Sequence, residues 1–193
     1  MAVNQVMVIG AGQMGAGIAQ VFAQAGFRVK LNDISEESLQ RGLATIEKLL
    51  SRNVDKGRMT EADKTNTLNK LETTTSLNDA SDCDLVVEAV VENMDVKTKV
   101  FQQLDQITPK HAILASNTSS LPITDIAAVT ERPEKVIGMH FMNPVPVMKL
   151  VEVIRALQTS DETYETIAET AKQLNKTAVE VNDYPGFVSN RIL

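Results

Sequence analysis

The feature that most constrains this chain is a glycine-rich turn between an apolar run and an amphipathic segment near its start. Residues 6–9 form a continuous apolar run, which is typical of a parallel strand covered on both faces. The sequence GAGQMG follows at once, and GxGxxG between a strand and a helix predicts a dinucleotide-binding turn. Gly10 would permit the tight turn, Gly12 would let a pyrophosphate approach the backbone, and Gly15 would let the helix lie on the sheet.

The residues around the turn agree with that prediction. The segment 10–27 contains no basic side chain, so an anion there would be held by the free N–H groups and the positive dipole end of the helix. Asp33 stands 23 positions after Gly10, at the end of the next apolar run, where a carboxylate can accept hydrogen bonds from the adenosine ribose. NAD and FAD both use such a unit, and the later part of the chain favours NAD.

Composition and charge limit the class of protein. The chain of 193 residues is 43% hydrophobic and 23% charged, which predicts one globular domain. Its formal net charge of −6 argues against a nucleic-acid partner bound through a broad basic face. No apolar run reaches the roughly 20 residues of a membrane span, and the first strand begins too early for a signal peptide. We therefore expect a soluble, cytoplasmic protein without a membrane partner.

The single cysteine, Cys83, excludes an internal disulfide. It lies beside an apolar run and no activating partner is evident from the sequence, so we expect a small core residue rather than a nucleophile. His111, between a helix and a strand, is expected on a surface loop.

The apolar pattern alternates between helices and short strands, which predicts a doubly wound α/β fold with a mostly parallel sheet. Ser35 and Thr60 are expected to cap the two helices of a hairpin inserted after the second strand, and Asp95 to cap a helix over 96–107 that buries Val96. Further helices are expected over 123–129 and 161–174. Further strands are expected over 71–75, 84–91, 112–116, 136–140, 150–154 and 178–181.

The inserted hairpin is basic. Segment 41–70 contains seven basic and four acidic residues, so its charge is +3 within a chain of net charge −6. Such a pattern is compatible with a solvated helical face. It is also compatible with a dock for a second phosphorylated group, for which Lys56 is the preferred residue.

Polar residues follow two of the predicted strands at the carboxyl edge, where ligands bind in open α/β sheets. The sequence NTSS at 117–120 comes after strand 112–116, and His140 ends strand 136–140. Histidine is the usual general acid or base near neutral pH. A core histidine held by backbone groups is an equally good interpretation of His140 at this point.

Three separated motifs resemble one known family. They are ILASNTSSLPIT at 113–124, GMHFMNPVPVMKLVEVI at 138–154 and PGFVSNRIL at 185–193. With the glycine turn and the helical insertion, they resemble the 3-hydroxyacyl-CoA dehydrogenase family, particularly its bacterial 3-hydroxybutyryl-CoA members, over the whole chain. The resemblance implies a Rossmann-type fold, an NAD cofactor, and hydride transfer that interconverts short-chain 3-hydroxyacyl-CoA and 3-oxoacyl-CoA.

The resemblance also implies roles for individual residues. His140 would be the acid or base, Glu152 the carboxylate that orients its ring, and Ser119 and Asn190 donors near the reacting oxygen. The residues expected at the cofactor are Gly10, Ala11, Gly12, Gln13, Met14, Gly15, Asp33, Glu92, Lys97, Asn117, Ser119 and Asn143. Those expected at the acyl-CoA are Ser119, Lys56, Lys97 and Asn190. No metal is implied.

The end of the chain bears on its domain organisation. Residues 1–184 are expected to form the NAD-binding domain, and 185–193 to begin the mostly helical domain that, in the family, closes the acyl-CoA site and forms a homodimer. The unfinished apolar face of Phe187, Val188, Ile192 and Leu193 favours a truncated, poorly active chain. Two alternatives stay open: another β-hydroxyacid dehydrogenase, and a catalytically silent nucleotide-binding or structural protein on this fold.

Asp33 generates a prediction about cofactor choice. Its carboxylate should repel a 2′-phosphate, and no arginine follows it to receive one. We therefore expect NADH to bind at least about tenfold more tightly than NADPH, since 1.4 kcal/mol corresponds to a factor of ten. Fluorescence titration of both dinucleotides measures this ratio, and equal affinities would show that Asp33 does not contact the ribose.

Overall fold

The computed structural model describes residues 1–184 and 187. In this part of the chain the strands are β1 (Gln5–Ile9), β2 (Arg28–Asn32), β3 (Leu71–Thr74), β4 (Leu85–Glu88), β5 (Ile113–Ser116), β6 (Val136–Phe141), β7 (Leu150–Arg155) and β8 (Thr177–Asn182). The helices are α1 (Gln13–Gln24), α2 (Glu36–Asp55), α3 (Glu61–Asn69), α4 (Met94–Ile107), α5 (Ile123–Ala127) and α6 (Asp161–Gln173).

The strands form one sheet in the order β3-β2-β1-β4-β5-β6-β7-β8. Strands β1 to β6 pair in parallel, β7 runs antiparallel to β6, and β8 is parallel to β7. The strand order reverses between β1 and β4, and a crevice at such a switch point is where open α/β sheets bind ligands. The predicted doubly wound, mostly parallel sheet is therefore confirmed.

Both faces of the sheet are covered by helices, which explains the apolar character of the strands. In β1, Val6 and Val8 pack into one hydrophobic cluster with α1, α2 and α6, while Met7 and Ile9 pack into a second cluster with α4 and α5. Successive side chains of a strand point to opposite faces. Full burial of each such apolar side chain contributes about 1.5–3 kcal/mol to folding.

The helical hairpin after β2 is confirmed as α2 and α3. Ser35 accepts a hydrogen bond from the N–H of Ser38 at 3.2 Å. Thr60 and Asp63 form a capping box, in which each side chain accepts from the other residue's backbone N–H. These caps satisfy N–H groups that the helices themselves leave unbonded.

Predictions about α4 are wrong in two respects. Its cap is Asn93, whose side chain accepts from the N–H of Val96 at 3.0 Å, and Asp95 lies in the first turn. The helix turns Val96 outward, where it is 39% exposed, and buries Lys97 instead. Neighbouring positions on a helix point about 100° apart, because a turn holds 3.6 residues, so Lys97 shares the buried face of Phe101 and Leu104, and Val96 lies outside it.

Two predicted elements extend too far along the chain. β4 ends at Glu88, rather than at residue 91, because Glu88 is the last residue that pairs with β5. α5 ends at Ala127 rather than at residue 129. The remaining predicted strands and helices agree with the structure to within one or two residues at each end, which is the usual uncertainty of element boundaries.

Cys83 is a core residue, as predicted. It is fully buried in the second hydrophobic cluster, and burial together with the neighbouring Asp82 carboxylate raises the pKa of its thiol to about 12. Thiolate is the reactive form of cysteine, so Cys83 is inert at neutral pH.

Asp84, directly before β4, connects β4 to the start of β1 through hydrogen bonds. Its Oδ2 atom accepts hydrogen bonds from the N–H groups of Asn4 at 2.9 Å and Gln5 at 3.0 Å. Its Oδ1 atom lies 2.9 Å from Nε2 of the half-exposed His111. Burial opposes ionisation of Asp84, but these hydrogen bonds outweigh it and lower the pKa of the carboxyl.

We expect Asp84→Asn to lower the free energy of unfolding by about 1–3 kcal/mol at pH 7, the usual cost of losing a charge-assisted hydrogen bond. Because the pKa of Asp84 is lower in the folded than in the unfolded state, its contribution is present above about pH 4 and is lost as the pH falls through the folded-state pKa. Urea unfolding at pH 7 and pH 3 measures the loss of unfolding free energy and its dependence on pH. Asp55→Asn, at an exposed position, is the control. An equal loss at both pH values would contradict an ionic contribution.

Candidate active site

The glycine turn joins β1 to α1 at the switch point of the sheet. Gly10 has φ of +100°, and a Cβ there would lie 2.6 Å from the carbonyl oxygen of Ala89. A Cβ on Gly15 would lie 1.6 Å from the carbonyl oxygen of Gly10. These two positions must therefore be glycine for the turn to close.

Gly12 differs from the other two glycines. No heavy atom lies within 4 Å of the place where its Cβ would be, and its φ is −72°, so alanine would cause no strain. Gly12 is also the N-cap of α1 and supplies no side-chain hydrogen bond to the first turn. A cavity of about 500 Å³ opens at this end of α1 and is lined, among others, by Ala11, Gly12 and Gln13, which fits a dinucleotide pyrophosphate at the helix N-terminus.

Asp33 lies just past the end of β2 and is held in place by two backbone groups. Oδ2 accepts from the N–H of Ala11 at 2.9 Å, and Oδ1 accepts from the N–H of Ser35 at 2.9 Å. A carboxylate has about four lone-pair sites, so both oxygens can still accept from hydroxyl groups. The predicted contact with the adenosine ribose stays a prediction.

A cavity of about 320 Å³ opens between the start of α1 and the ends of β4, β5 and β6. It is lined by Met14, Ala89, Val90, Glu92, Lys97, Asn117, Ser119, His140, Phe141, Met142 and Asn143. Most of the residues expected beyond the glycine turn therefore share one pocket. Gln13 joins its rim, because its Nε2 atom donates to Oδ1 of Asn143 at 3.3 Å.

His140 and Glu152 lie directly opposite each other in the antiparallel pair β6 and β7. Nδ1 of His140 is 3.5 Å from Oε1 of Glu152, and both side chains are buried. The ring of Phe187 lies with its centroid 6.0 Å from that of His140. Desolvation lowers the pKa of His140, although Glu152 and Glu92 partly oppose it, so the imidazole is neutral at pH 7 and can accept a proton.

The loop after β5 is held by Glu92. Oε2 of Glu92 accepts from Oγ1 of Thr118 at 2.7 Å and from the N–H of Ser119 at 3.3 Å. Burial opposes ionisation of Glu92, but the Thr118 hydrogen bond and the Lys97 charge outweigh it and lower the pKa of the carboxyl. Asn117 pins the same loop to β6, since its Oδ1 atom accepts from the N–H of Phe141 at 2.9 Å.

Lys97 lies at the floor of the pocket and is almost fully buried. Its Nζ atom is 2.6 Å from Oε2 of Glu88 and 3.1 Å from Oε1 of Glu92. Glu88 was missed by the sequence interpretation, although an acid inside the apolar run DLVVEAVV is itself a signal, because charged residues are rarely buried without a partner. Lys176, also missed, donates to the carbonyl oxygens of Val145 and Met148 and so holds the turn after Asn143.

Some predicted residues do not line this pocket. Lys56 is exposed at the end of α2, and Met59, three residues later, lines a different cavity with Gln24 near the end of α1. Asn190 lies outside the described residues, as do Val188, Ile192 and Leu193 of the expected apolar face. Phe187 is described, and the expectation that it would be uncovered is wrong: it packs into the second hydrophobic cluster and is 2% exposed.

Within residues 1–184 and 187, no helix has the length and apolar character needed to cross a membrane. In the same residues, no group of three or more histidine, cysteine, aspartate or glutamate side chains is placed to hold a metal ion.

Comparison with known proteins identifies the family. The family model described as 3-hydroxyacyl-CoA dehydrogenase, NAD binding domain, matches residues 5–184. The chain belongs to this family. It is therefore an NAD-binding domain, in agreement with the glycine turn and the open space before α1.

Individual relatives support the same assignment. The chain is 56% identical over 193 residues to a probable 3-hydroxybutyryl-CoA dehydrogenase of Bacillus subtilis, covering 100% of this chain and 67% of that protein. The crystal structure of (S)-3-hydroxybutyryl-CoA dehydrogenase from Ralstonia eutropha superposes with a TM-score of 0.97 at 48% identity, covering 99% of this chain and 68% of that one. The crystal structure of a 3-hydroxybutyryl-CoA dehydrogenase from Escherichia coli K12 superposes with a TM-score of 0.98 at 43% identity, covering 100% of this chain and 41% of that one. The chain thus spans about two thirds, or less, of these relatives.

The contrast between Gly12 and Gly15 generates a prediction. Gly12→Ala should lower the melting temperature by no more than about 4 °C, since its Cβ meets nothing and the less favourable N-cap costs about 1 kcal/mol. It should weaken NADH binding at least about tenfold, because the methyl group would occupy the space of the pyrophosphate.

Gly15→Ala is the matched control, and it should prevent folding or lower the melting temperature strongly, because its Cβ would collide with the Gly10 carbonyl. Thermal unfolding and NADH titration separate the two effects. Unchanged NADH affinity in Gly12→Ala would contradict a pyrophosphate at this turn.

Proposed function

We propose that this chain takes part in NAD-dependent interconversion of 3-hydroxyacyl-CoA and 3-oxoacyl-CoA. The observation that carries the proposal is the buried His140–Glu152 pair, which opens onto the same pocket as the start of α1. NAD, held by the glycine turn, supplies the hydride acceptor. The remaining chemistry, proton transfer at the substrate oxygen, needs an acid or base beside that position.

His140 is the proposed proton acceptor for the substrate hydroxyl. Its pKa is lowered by burial, so the neutral ring is available at pH 7 and a base of this kind typically contributes a factor of about 10²–10⁴ in rate. Glu152 faces Nδ1, which leaves Nε2 for the substrate and favours the imidazolium that forms on proton transfer. Ser119, on the wall of the pocket, is proposed to donate to the same oxygen, and Asn190 keeps its predicted role as a second donor.

The substrate is proposed to be a short-chain acyl-CoA, such as the 3-hydroxybutyryl-CoA named for the relatives. A basic hairpin of charge +3 over residues 41–70 supports contact with the phosphates of CoA, which extend away from the reacting carbon. Lys56 stays the preferred residue there, and Lys97 a predicted contact at the pocket. Three further features also remain proposals: a second, helical domain that begins at residues 185–193, a homodimer, and a cytoplasmic location.

Substitution of the buried pair tests the mechanism. His140→Gln should lower the rate of NADH oxidation by acetoacetyl-CoA by about a hundredfold or more, because the general acid is lost, and should leave NADH affinity unchanged. Glu152→Gln should lower the rate comparably and move the pKa in the pH–rate profile to a lower pH, because a carboxylate that raises the pKa of His140 is removed.

The rate of NADH oxidation can be followed by absorbance in a single turnover at high protein concentration, which suits a poorly active chain. Glu165→Gln, on the exposed face of α6, is the control. A rate that survives His140→Gln would remove His140 from the mechanism. Binding of NADH without any oxidation in a full-length protein that includes the further domain would favour a silent nucleotide-binding protein instead.

A further inference from the structure

Three charged side chains form a cluster at the floor of the pocket. The ammonium of Lys97 lies 2.6 Å from Oε2 of Glu88, 3.1 Å from Oε1 of Glu92 and 3.3 Å from the carbonyl oxygen of Val90. Glu88 is 0% exposed and Lys97 is 1% exposed. Glu92 is the most exposed of the three, with 41% of its side chain exposed.

Glu88 accepts hydrogen bonds on both carboxylate oxygens. Oε1 accepts from Oγ of Ser116 at 2.7 Å, and Oε2 accepts from the N–H of Val90 at 2.7 Å in addition to Lys97. These three donors fix the position of the carboxylate. The cluster contains two carboxylates and one ammonium, and its net charge is −1.

We propose that Glu88, by neutralising Lys97, leaves Glu92 with an uncompensated negative charge that raises the affinity of the pocket for oxidised NAD relative to reduced NAD. The nicotinamide ring carries a positive charge when oxidised and is neutral when reduced. A fixed negative charge beside it attracts only the oxidised ring. Glu88 acts through Lys97 and Glu92, so it is a positioning residue that sets a charge.

The fold explains why this effect depends on Glu88 rather than on Glu92 alone. Without Glu88, the ammonium of Lys97 would neutralise Glu92 and the cluster would have no net charge. Both Glu88 and Lys97 are buried, where solvent and salt screen charges far less than at the surface. The charge that a ligand in the pocket experiences therefore depends on the buried residues Glu88 and Lys97.

The charge of His140 stays the same in the variants proposed below, because removing the Glu92 carboxylate would lower the pKa of its ring further. His140, on β6, is neutral at pH 7.5 because burial lowers its pKa. Glu152, on β7, faces His140. A measurement at one pH and one salt concentration keeps both contributions constant.

The test is the ratio of two dissociation constants, those of NAD+ and NADH, measured by calorimetric titration of the chain at pH 7.5. Glu88→Gln should weaken NAD+ binding by about tenfold more than NADH binding, which corresponds to a lost attraction of about 1.4 kcal/mol. No acyl-CoA is present, so the result is independent of the proposed reaction. A structural defect alone would weaken both forms equally, and that outcome would overturn the proposal.

A double substitution provides the matched control. Glu88→Gln with Lys97→Gln again gives the cluster a net charge of −1, carried by Glu92, so the ratio of the two constants should return to within about twofold of the wild type even if both affinities fall. A ratio that stays at the Glu88→Gln value would overturn the proposal.

A second pair keeps the test decisive if Glu88→Gln does not fold. Glu92→Gln, at a half-exposed position, also gives a cluster of zero charge and should change the ratio in the same direction. Glu92→Gln with Lys97→Gln restores −1 through Glu88 and should bring the ratio back. An unchanged ratio in Glu92→Gln would overturn the proposal.

Discussion

The structure depends on the close contact between the glycine turn and the start of α1. The first turn of the helix lies against the Gly10 carbonyl so closely that a Cβ on Gly15 would be 1.6 Å away, so the helix can approach the sheet only with glycine at that position. This contact places the start of α1, which has no side-chain cap, at the carboxyl edge of the sheet. The candidate cofactor and acid–base residues lie around it, because β4, β5 and β6 end at the same edge.

The added strands extend this edge into the candidate active-site pocket. β6 is parallel to its neighbour, as in a plain doubly wound sheet, but β7 returns antiparallel beside it. The antiparallel register places His140 opposite Glu152, and the sheet holds the two backbones at a fixed separation. Orientation of a buried base by a buried carboxylate therefore needs no flexible loop, which lowers the entropy cost of keeping the pair in position.

Buried charge is the main energetic cost of the site. Removing Lys97, Glu88 and Glu152 from water costs several kcal/mol per ion unless each finds partners. Lys97 and Glu88 offset this cost with short charge-assisted contacts. The same contacts fix Glu92, which in turn holds Thr118 and Ser119. Stability and the position of the loop after β5 thus depend on one connected network.

The sequence by itself determined the local elements and the family of the domain. The glycine spacing, the apolar runs and the capping residues Ser35 and Thr60 act over short distances, so their structures could be predicted from neighbours in the chain. The same holds for Cys83, whose apolar surroundings are local. The resemblance of three motifs added the candidate roles of His140 and Glu152.

Only the tertiary structure decided which of these residues meet. The distance from His140 to Glu152 follows from the direction of β7, which no local pattern encodes. Glu88 and Lys97 were not recognised as partners because they belong to different elements, a strand and a helix, and Val96 rather than Lys97 was placed on the buried face of the helix. Contacts between elements depend on strand direction and helix rotation, which packing of the whole sheet determines.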